Sequence, residues 1–123
     1  MGMIKKLDEI VGASNIRIQD LRVNFAGTKV LIIVSAALLA KSAFYIWNID
    51  EDQFLKYEFE NQVEIISGSW EYSDPRFLGV YNIYSNKEGT LCKRISTFFV
   101  TKDHGIKKHD DIEVQTMESI MAI

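Results

Sequence analysis

WEYSDPRFLGVYNI, residues 70–83, carries the chain's only proline in Ser73-Asp74-Pro75-Arg76, between two apolar runs. Pro75 presets its own φ and pushes Asp74 out of the helical region, so these four residues predict a turn. Residues 63–70 lead into it as one strand, and residues 77–84, apolar on both sides, leave it as another. The stretch contains a rigid corner and two strands but no catalytic side chain. It predicts packed β-structure.

Working outward, the same order of elements occurs earlier in the chain. Leu21, Val23 and Phe25 alternate with Arg22 and Asn24, the period of a half-buried strand. Ala26-Gly27-Thr28 reads as a turn. Residues 30–35 are apolar on both faces, as a central strand is. Residues 43–49 form the next strand. Leu55, Tyr57 and Phe59 alternate with Lys56, Glu58 and Glu60, which predicts an exposed outer strand. After the corner, residues 85–90 are a loop in which Gly89 offers positive φ. Residues 95–100 form a strand, 101–111 a polar connection around Gly105, and 112–114 a short last strand before an apolar tail. At the other terminus Ile4, Leu7 and Val11 are spaced for one face of a short helix over 3–11.

LRVNFAG and EIISGSW begin about 43 residues apart, and each is followed by similar apolar strands, a period that suits β-propeller blades. The run FYIWN fits a blade's third strand, where WD repeats place Trp-Asp; here Trp47 is followed by Asn48. A small β-sandwich or barrel of unrelated hairpins is the alternative.

Composition limits the function classes. The chain has 123 residues, 47% hydrophobic and 25% charged, which is ordinary for a globular domain. A net charge of −3 gives no electrostatic reason to expect nucleic acid or a membrane surface. Cys92 is the only cysteine, which excludes an internal disulfide. Met1-Gly2 opens like a myristoylation motif, but Lys5 and Lys6 occupy the region where that motif places Ser or Thr. Residues 30–49 have the length of a membrane span, with Lys41 the single charge. A lysine at mid-span is costly to insert, and the β-branched first half and aromatic second half favour two buried strands with a turn at 39–42.

No group of residues offers a reaction. Asp103, His104, His109, Asp110 and Asp111 contain metal-binding types, but a structural zinc site takes four ligands of suitable geometry, and a solvated loop explains them. Cys92 stands beside Lys93 and Arg94, which can lower a thiol pKa, yet no motif brings it a histidine base. Trp47 and Trp70 have strand spacing, which assigns them to packing. The expectation is a non-enzymatic chain with no catalytic, cofactor-binding or metal-binding residue.

Three segments resemble a known family. YEFENQVEIISGSWEYSDPRFLGVYNI is similar to a segment in which an apolar strand leads to Trp, an acid, Pro-Arg and a second apolar strand; here these are Trp70, Asp74, Pro75, Arg76 and residues 77–80. ISTFFVTKDHGIKKHD matches a Phe-Phe strand followed by an acid and His-Gly, here Phe98, Phe99, Asp103, His104 and Gly105. KSAFYIWNIDEDQFLKYEFE matches the preceding blade, with Ile46-Trp47-Asn48 where the family often has an acid. The family is the one-hundred-and-forty-kilodalton WD-repeat subunit of intraflagellar transport complex A, and the matches cover residues 40–110. The resemblance implies the last blades of that subunit's second propeller, and a scaffold in retrograde ciliary transport, cilium assembly and cargo delivery.

The expected fold is therefore all-β, two antiparallel blades of a WD40-type β-propeller, with residues 1–15 as an N-terminal arm or helix. Residues 16–61 would form one blade, and residues 62–123 a second, degenerate blade and tail. This length supplies only part of a propeller, which closes with four to eight blades, so the chain is expected to be a fragment. The implied partners are other complex A subunits or the missing part of the propeller, with self-association through open strand edges. The implied location is the cytoplasm and cilium, with no direct membrane insertion.

Overall fold

The computed structural model describes residues 17–35 and 42–114, which form eight β-strands and, among the described residues, no helix. The strands are β1 (Arg17–Val23), β2 (Lys29–Ser35), β3 (Ala43–Asn48), β4 (Gln53–Glu58), β5 (Val63–Trp70), β6 (Phe77–Ser85), β7 (Leu91–Thr101) and β8 (Gly105–Val114). They make two four-stranded antiparallel sheets, β1-β2-β3-β4 and β5-β6-β7-β8. The chain passes from one sheet to the other between Glu58 and Val63. β1 and β2 lie against β5, and β4 lies against β8, so the sheets stack face to face with first strand on first and last on last.

The stack is apolar at its centre. Leu31 and Ile33 of β2 and Phe44 and Ile46 of β3 face Leu78 and Val80 of β6 and Phe98 and Val100 of β7. Phe44, Tyr57 and Phe98 pack ring on ring, at 5.0 Å between Phe44 and Phe98 and 4.6 Å between Tyr57 and Phe98. Gly68 completes the joint: a Cβ there would stand 2.2 Å from Leu31 Cδ2. Only a residue without a side chain admits the leucine. On the far face of the first sheet Val30, Ile32, Val34, Ala43 and Tyr45 form a second buried cluster. This double burial explains why residues 30–34 are apolar without alternation.

Three strands carry one extra residue. The pairing shifts at Gln19 in β1, Ile66 in β5 and His109 in β8. A bulge exchanges the inward and outward parity of everything beyond it.

The bulge in β8 overturns the expected polar connection over 101–111. Only residues 102–104 form the turn; Gly105, at φ +69°, opens a ten-residue strand paired with β7. With His109 extra, Ile106 and Lys108 face inward before it, and Asp111 and Glu113 after it. No single period-two pattern crosses the segment, so it does not read as a strand. Its charged residues also suit a sheet edge, where they discourage pairing with other chains.

Phe25 is a second correction. It lies beyond β1 in the turn and is 67% exposed, in edge contact with the Tyr72 ring at 4.6 Å. β4 is less exposed than its alternation suggests: Leu55 and Tyr57 are half-buried, and Phe59 is buried just past the strand's end. Residues 30–35 and 43–48 of the span-length segment are strands, and no described helix is long and apolar enough to cross a membrane. The helix expected over 3–11, the turn at 39–42 and the apolar tail lie outside the described residues.

Candidate interaction surface

The turns β1–β2, β3–β4, β5–β6 and β7–β8 lie at one end of the stack, and there the Asp-Pro-Arg corner has a partner. Asp74 Oδ1 accepts from the Arg76 backbone N–H at 2.9 Å and from Arg76 Nε at 3.4 Å, which closes the turn on itself. The backbone bond above all, with the Arg76 side chain, holds the Asp74 carboxyl below its usual pKa against the opposing effect of burial. Pro75 contributes its carbonyl, which accepts from Asn24 Nδ2 at 2.9 Å. Asn24 is buried and fully used. Its side-chain oxygen accepts from the backbone N–H groups of Thr28 and Lys29, and its amide also donates to Thr28 Oγ1. One asparagine thus closes the β1–β2 turn and fastens it to the second sheet. Trp70 Nε1 donates to the Arg22 carbonyl at 2.7 Å, and Gln19 Nε2 donates to the Ile65 carbonyl at 3.1 Å. Ser42 Oγ both donates to the Val63 carbonyl and accepts the Val63 N–H.

Elsewhere the inner face of the second sheet is polar. Asn82 and Ser96 have no exposed surface. Asn82 Nδ2 donates to Ser96 Oγ at 3.1 Å and to the Val80 carbonyl, while Asn82 Oδ1 accepts from Arg94 Nε at 2.9 Å. Ser96 Oγ donates to Asp111 Oδ1 at 2.6 Å, and Lys108 Nζ and Arg94 Nη1 stand 2.5 and 3.7 Å from Asp111 Oδ2. Partial burial pushes the Asp111 carboxyl up. The hydrogen bonds from Lys108 and Ser96 and the nearby charges of Arg94 and Lys108 outweigh it and hold the group below its usual range. Arg94 also lies 4.2 Å over the Tyr84 ring, whose hydroxyl bonds Glu113. That bond, with a smaller contribution from burial, pushes the Tyr84 pKa up to about 12. Each polar group here has a partner, so the network fits a structural role.

The outward face of the second sheet has a different character. Reading across the register, Phe77, Phe99 and Lys107 share one row, Gly79, Thr97 and Asp110 the next, and Tyr81, Ile95 and Ile112 the third. Ile95 is 37% and Ile112 51% exposed. Gly79 leaves an open depression of about 240 Å³, lined by Ser67, Gly68, Ser69, Tyr81 and Ile95. A recess of similar volume between the sheets, at the turn end, is polar and lined by Lys29, Asn48, Glu51, Gln53, Arg76, Val100, Thr101 and Lys102. Asn48 Oδ1 is sealed from solvent there with no hydrogen bond.

The sequence's reactive residue types are dispersed. His109 sits in the β8 bulge, edge-on to Phe77 and Phe99 at 5.7 and 5.3 Å. His104 is in the turn, where its backbone N–H donates to Thr101 Oγ1. Asp110 and Asp111 point to opposite faces, so the five residues considered as ligands are not brought together. No metal-binding cluster of three or more such residues occurs among the described residues. Cys92 is half-buried, with Asn86 Nδ2 at 3.5 Å from its sulfur. Trp47 stacks on Phe54 and donates to Asp52, and buried Trp70 belongs to the inter-sheet joint.

Sequence reasoning missed Asn24, Asn82, Ser96 and Gly68. Asn82 inside an apolar strand was the detectable signal, because a buried amide there requires partners. No family model matches the chain, and no curated protein matches it.

Proposed function

We propose that the chain is a non-enzymatic scaffold and protein-interaction module, built as two consecutive blades of a WD40-type propeller. The observation that carries this is the arrangement of the sheets. Two four-stranded meanders follow one another in sequence and stack first strand on first; the outward face of the first sheet is apolar, and that of the second sets Phe77, Phe99, Tyr81, Ile95 and Ile112 among Thr97, Lys107 and Asp110. A free-standing sandwich alternates polar residues outward. A blade within a propeller has a neighbour on each side and needs apolar residues on both faces. With the resemblance carried by Trp70, Asp74, Pro75, Arg76, Phe98, Phe99, His104 and Gly105, this reading extends to the intraflagellar transport complex A subunit and to retrograde ciliary transport. Its partners are then the other complex A subunits or the remaining blades, and its location is the cytoplasm and cilium.

The test is affinity capture of the tagged 123-residue chain from ciliated cells, followed by immunoblotting for complex A subunits and imaging at the ciliary base. Retention of those subunits and basal enrichment are expected. Their absence with a folded chain overturns the ciliary reading and leaves a small binding sandwich.

A further inference from the structure

We propose that residues 3–11 pack as an amphipathic helix across the outer face of the first sheet, antiparallel to β1. The inference goes beyond the propeller reading: where that reading needs a preceding blade, it places the chain's own N-terminal segment.

This face is covered. Val30, Ile32 and Val34 of β2 and Ala43 and Tyr45 of β3 form the cluster on it, and Ile32 and Tyr45 have no exposed surface. Among the described residues, those packed against the cluster are Ile18, Trp47, Ile49 and Phe54, all from the same sheet and its β3–β4 turn. Side chains stand roughly perpendicular to a sheet, so neighbours in that sheet close their flanks and leave their tips open. Complete burial of two large side chains on central strands requires a second layer above them.

The edge strands trace where that layer runs. On β1, Ile18 is half-buried, while Leu21 and Val23, which pair with Ile32 and Val30, are exposed. The layer therefore crosses β1 only at its start, where the N-terminal segment joins the strand. On β4, Lys56 and Glu58, which pair with Tyr45 and Ala43, are exposed. Residues 115–123 leave β8 beside that end of β4 and would have to cross it to reach the cluster. Residues 36–41 leave and re-enter the sheet at one end, and three residues each way reach about 10 Å at most. That falls short of Val30, about 13 Å along β2 from Val34.

Length, pattern and charge fit residues 3–11. At about 3.6 residues per turn, Met3, Ile4, Leu7, Ile10 and Val11 fall on one side of a helix, and Lys5, Lys6, Asp8 and Glu9 on the other. Nine residues make a helix of about 13 Å, the length of the cluster along β2. Gly12 suits the helix's end, and residues 12–16 extend to about 16 Å, enough to return to Arg17. β1 starts at the end of the sheet away from its turns, so a helix antiparallel to it starts over the turns. That sets Lys5 and Lys6 beside the β3–β4 turn, which carries Asp50, Glu51 and Asp52.

The test is isotope-edited nuclear Overhauser spectroscopy of the full chain. Contacts from the Leu7 and Val11 methyls to the Tyr45 ring and to the Ile32 and Val34 methyls are expected. Leu7→Asp should lower the thermal midpoint by at least about 5 °C, and Glu9→Lys, on the solvent side of the helix, should leave it unchanged. If Leu7→Asp fails to fold, the contacts in the unsubstituted chain still decide.

Contacts to this face from residues 36–41 or 115–123 in place of Leu7 overturn the proposal. So does a face with no contact from outside its own sheet, or a midpoint indifferent to Leu7→Asp. Capture of complex A subunits is a separate readout: it can fail with these contacts present and succeed without them.

Discussion

The space between the sheets is lined in two ways. Around Leu31 and Phe98 it is shape: a leucine in a glycine socket and rings in edge contact, with no charge involved. Around Asp111, on the inner face of the second sheet alone, it is valence: an amide, a hydroxyl, two cations and a carboxylate, each satisfied by the next. The first part tolerates changes in pH and salt but not in volume. The second tolerates a small gap at its rim, where Asp111 is 31% exposed, but not a missing partner. The two parts therefore fail under different perturbations.

The largest effect should come from the shape-built part. Leu31→Ala should cost about 2–5 kcal/mol, as a fully buried leucine does on truncation. Gly68→Ala should cost about 1–3 kcal/mol through overpacking. Because Leu31→Ala makes room for the new methyl, the double variant should be more stable than the sum of the two losses predicts, with a coupling of at least about 1 kcal/mol. Urea midpoints measure all three. Strict additivity would mean that Leu31 does not occupy the Gly68 socket.

Next comes the polar part. Asn82→Ala leaves Arg94 and Ser96 short of partners and should cost about 1–3 kcal/mol. Asn82→Leu should be no better, because Arg94 Nε stays without its acceptor and Ser96 Oγ without the amide that donates to it. Parallel urea titrations decide this, and a stabilised Asn82→Leu would show that the network is dispensable.

A smaller effect is pH-dependent. The Asp111 carboxyl is depressed in the folded chain, so its contribution is present above the unfolded value near 3.9 and is lost as pH falls through the lower folded value. Asp111→Asn should remove part of the acid dependence of the thermal midpoint. Asp74 is depressed too and keeps its own share. Tyr84 is raised to about 12, so its contribution is complete below the unfolded value near 10 and disappears as pH rises from there through 12. Tyr84→Phe should flatten that alkaline limb. An unchanged limb would assign it to other groups.

The smallest effect should be at the corner that organises the sequence. Pro75→Ala keeps the carbonyl that Asn24 holds, and it should cost under about 1 kcal/mol, mainly through unfolded-state entropy. A loss several-fold larger, read from the denaturation midpoint, would show that the ring itself packs against something.

These residues also mark how far the sequence can be read. β2, β3, β5 and β6 were legible because their apolar runs are strong and end at Gly27, Asp50 and Pro75. The passage between sheets was legible in the polar residues around Asn61. β8 was not, because its bulge divides the inward positions into two sets of opposite parity and Lys108 and Asp111 face inward by pairing with each other. Phe25 misled because an aromatic at period two looks like strand, and only the hydrogen bonds of Asn24 end β1 before it. The outward face of the second sheet was legible only in outline. Ile95 and Ile112 are ordinary strand residues in sequence, and only the register puts them in one row beside Gly79.

The latches between the sheets carry a kinetic consequence. Within each sheet every strand pairs with its immediate successor, so each meander can form by short loop closures. Three of the bonds that hold one meander to the other span far more chain: 51 residues from Asn24 to Pro75, 48 from Trp70 to Arg22 and 46 from Gln19 to Ile65, against 21 for the Ser42–Val63 pair. Such contacts are realised only after both partners exist, so they belong to a docking step. Substitution of Asn24 should then mainly accelerate unfolding and leave the folding limb of the chevron in place, whereas changes within a hairpin should slow folding. The asparagine that secures the corner would act on how long the native state lasts more than on how fast it is reached.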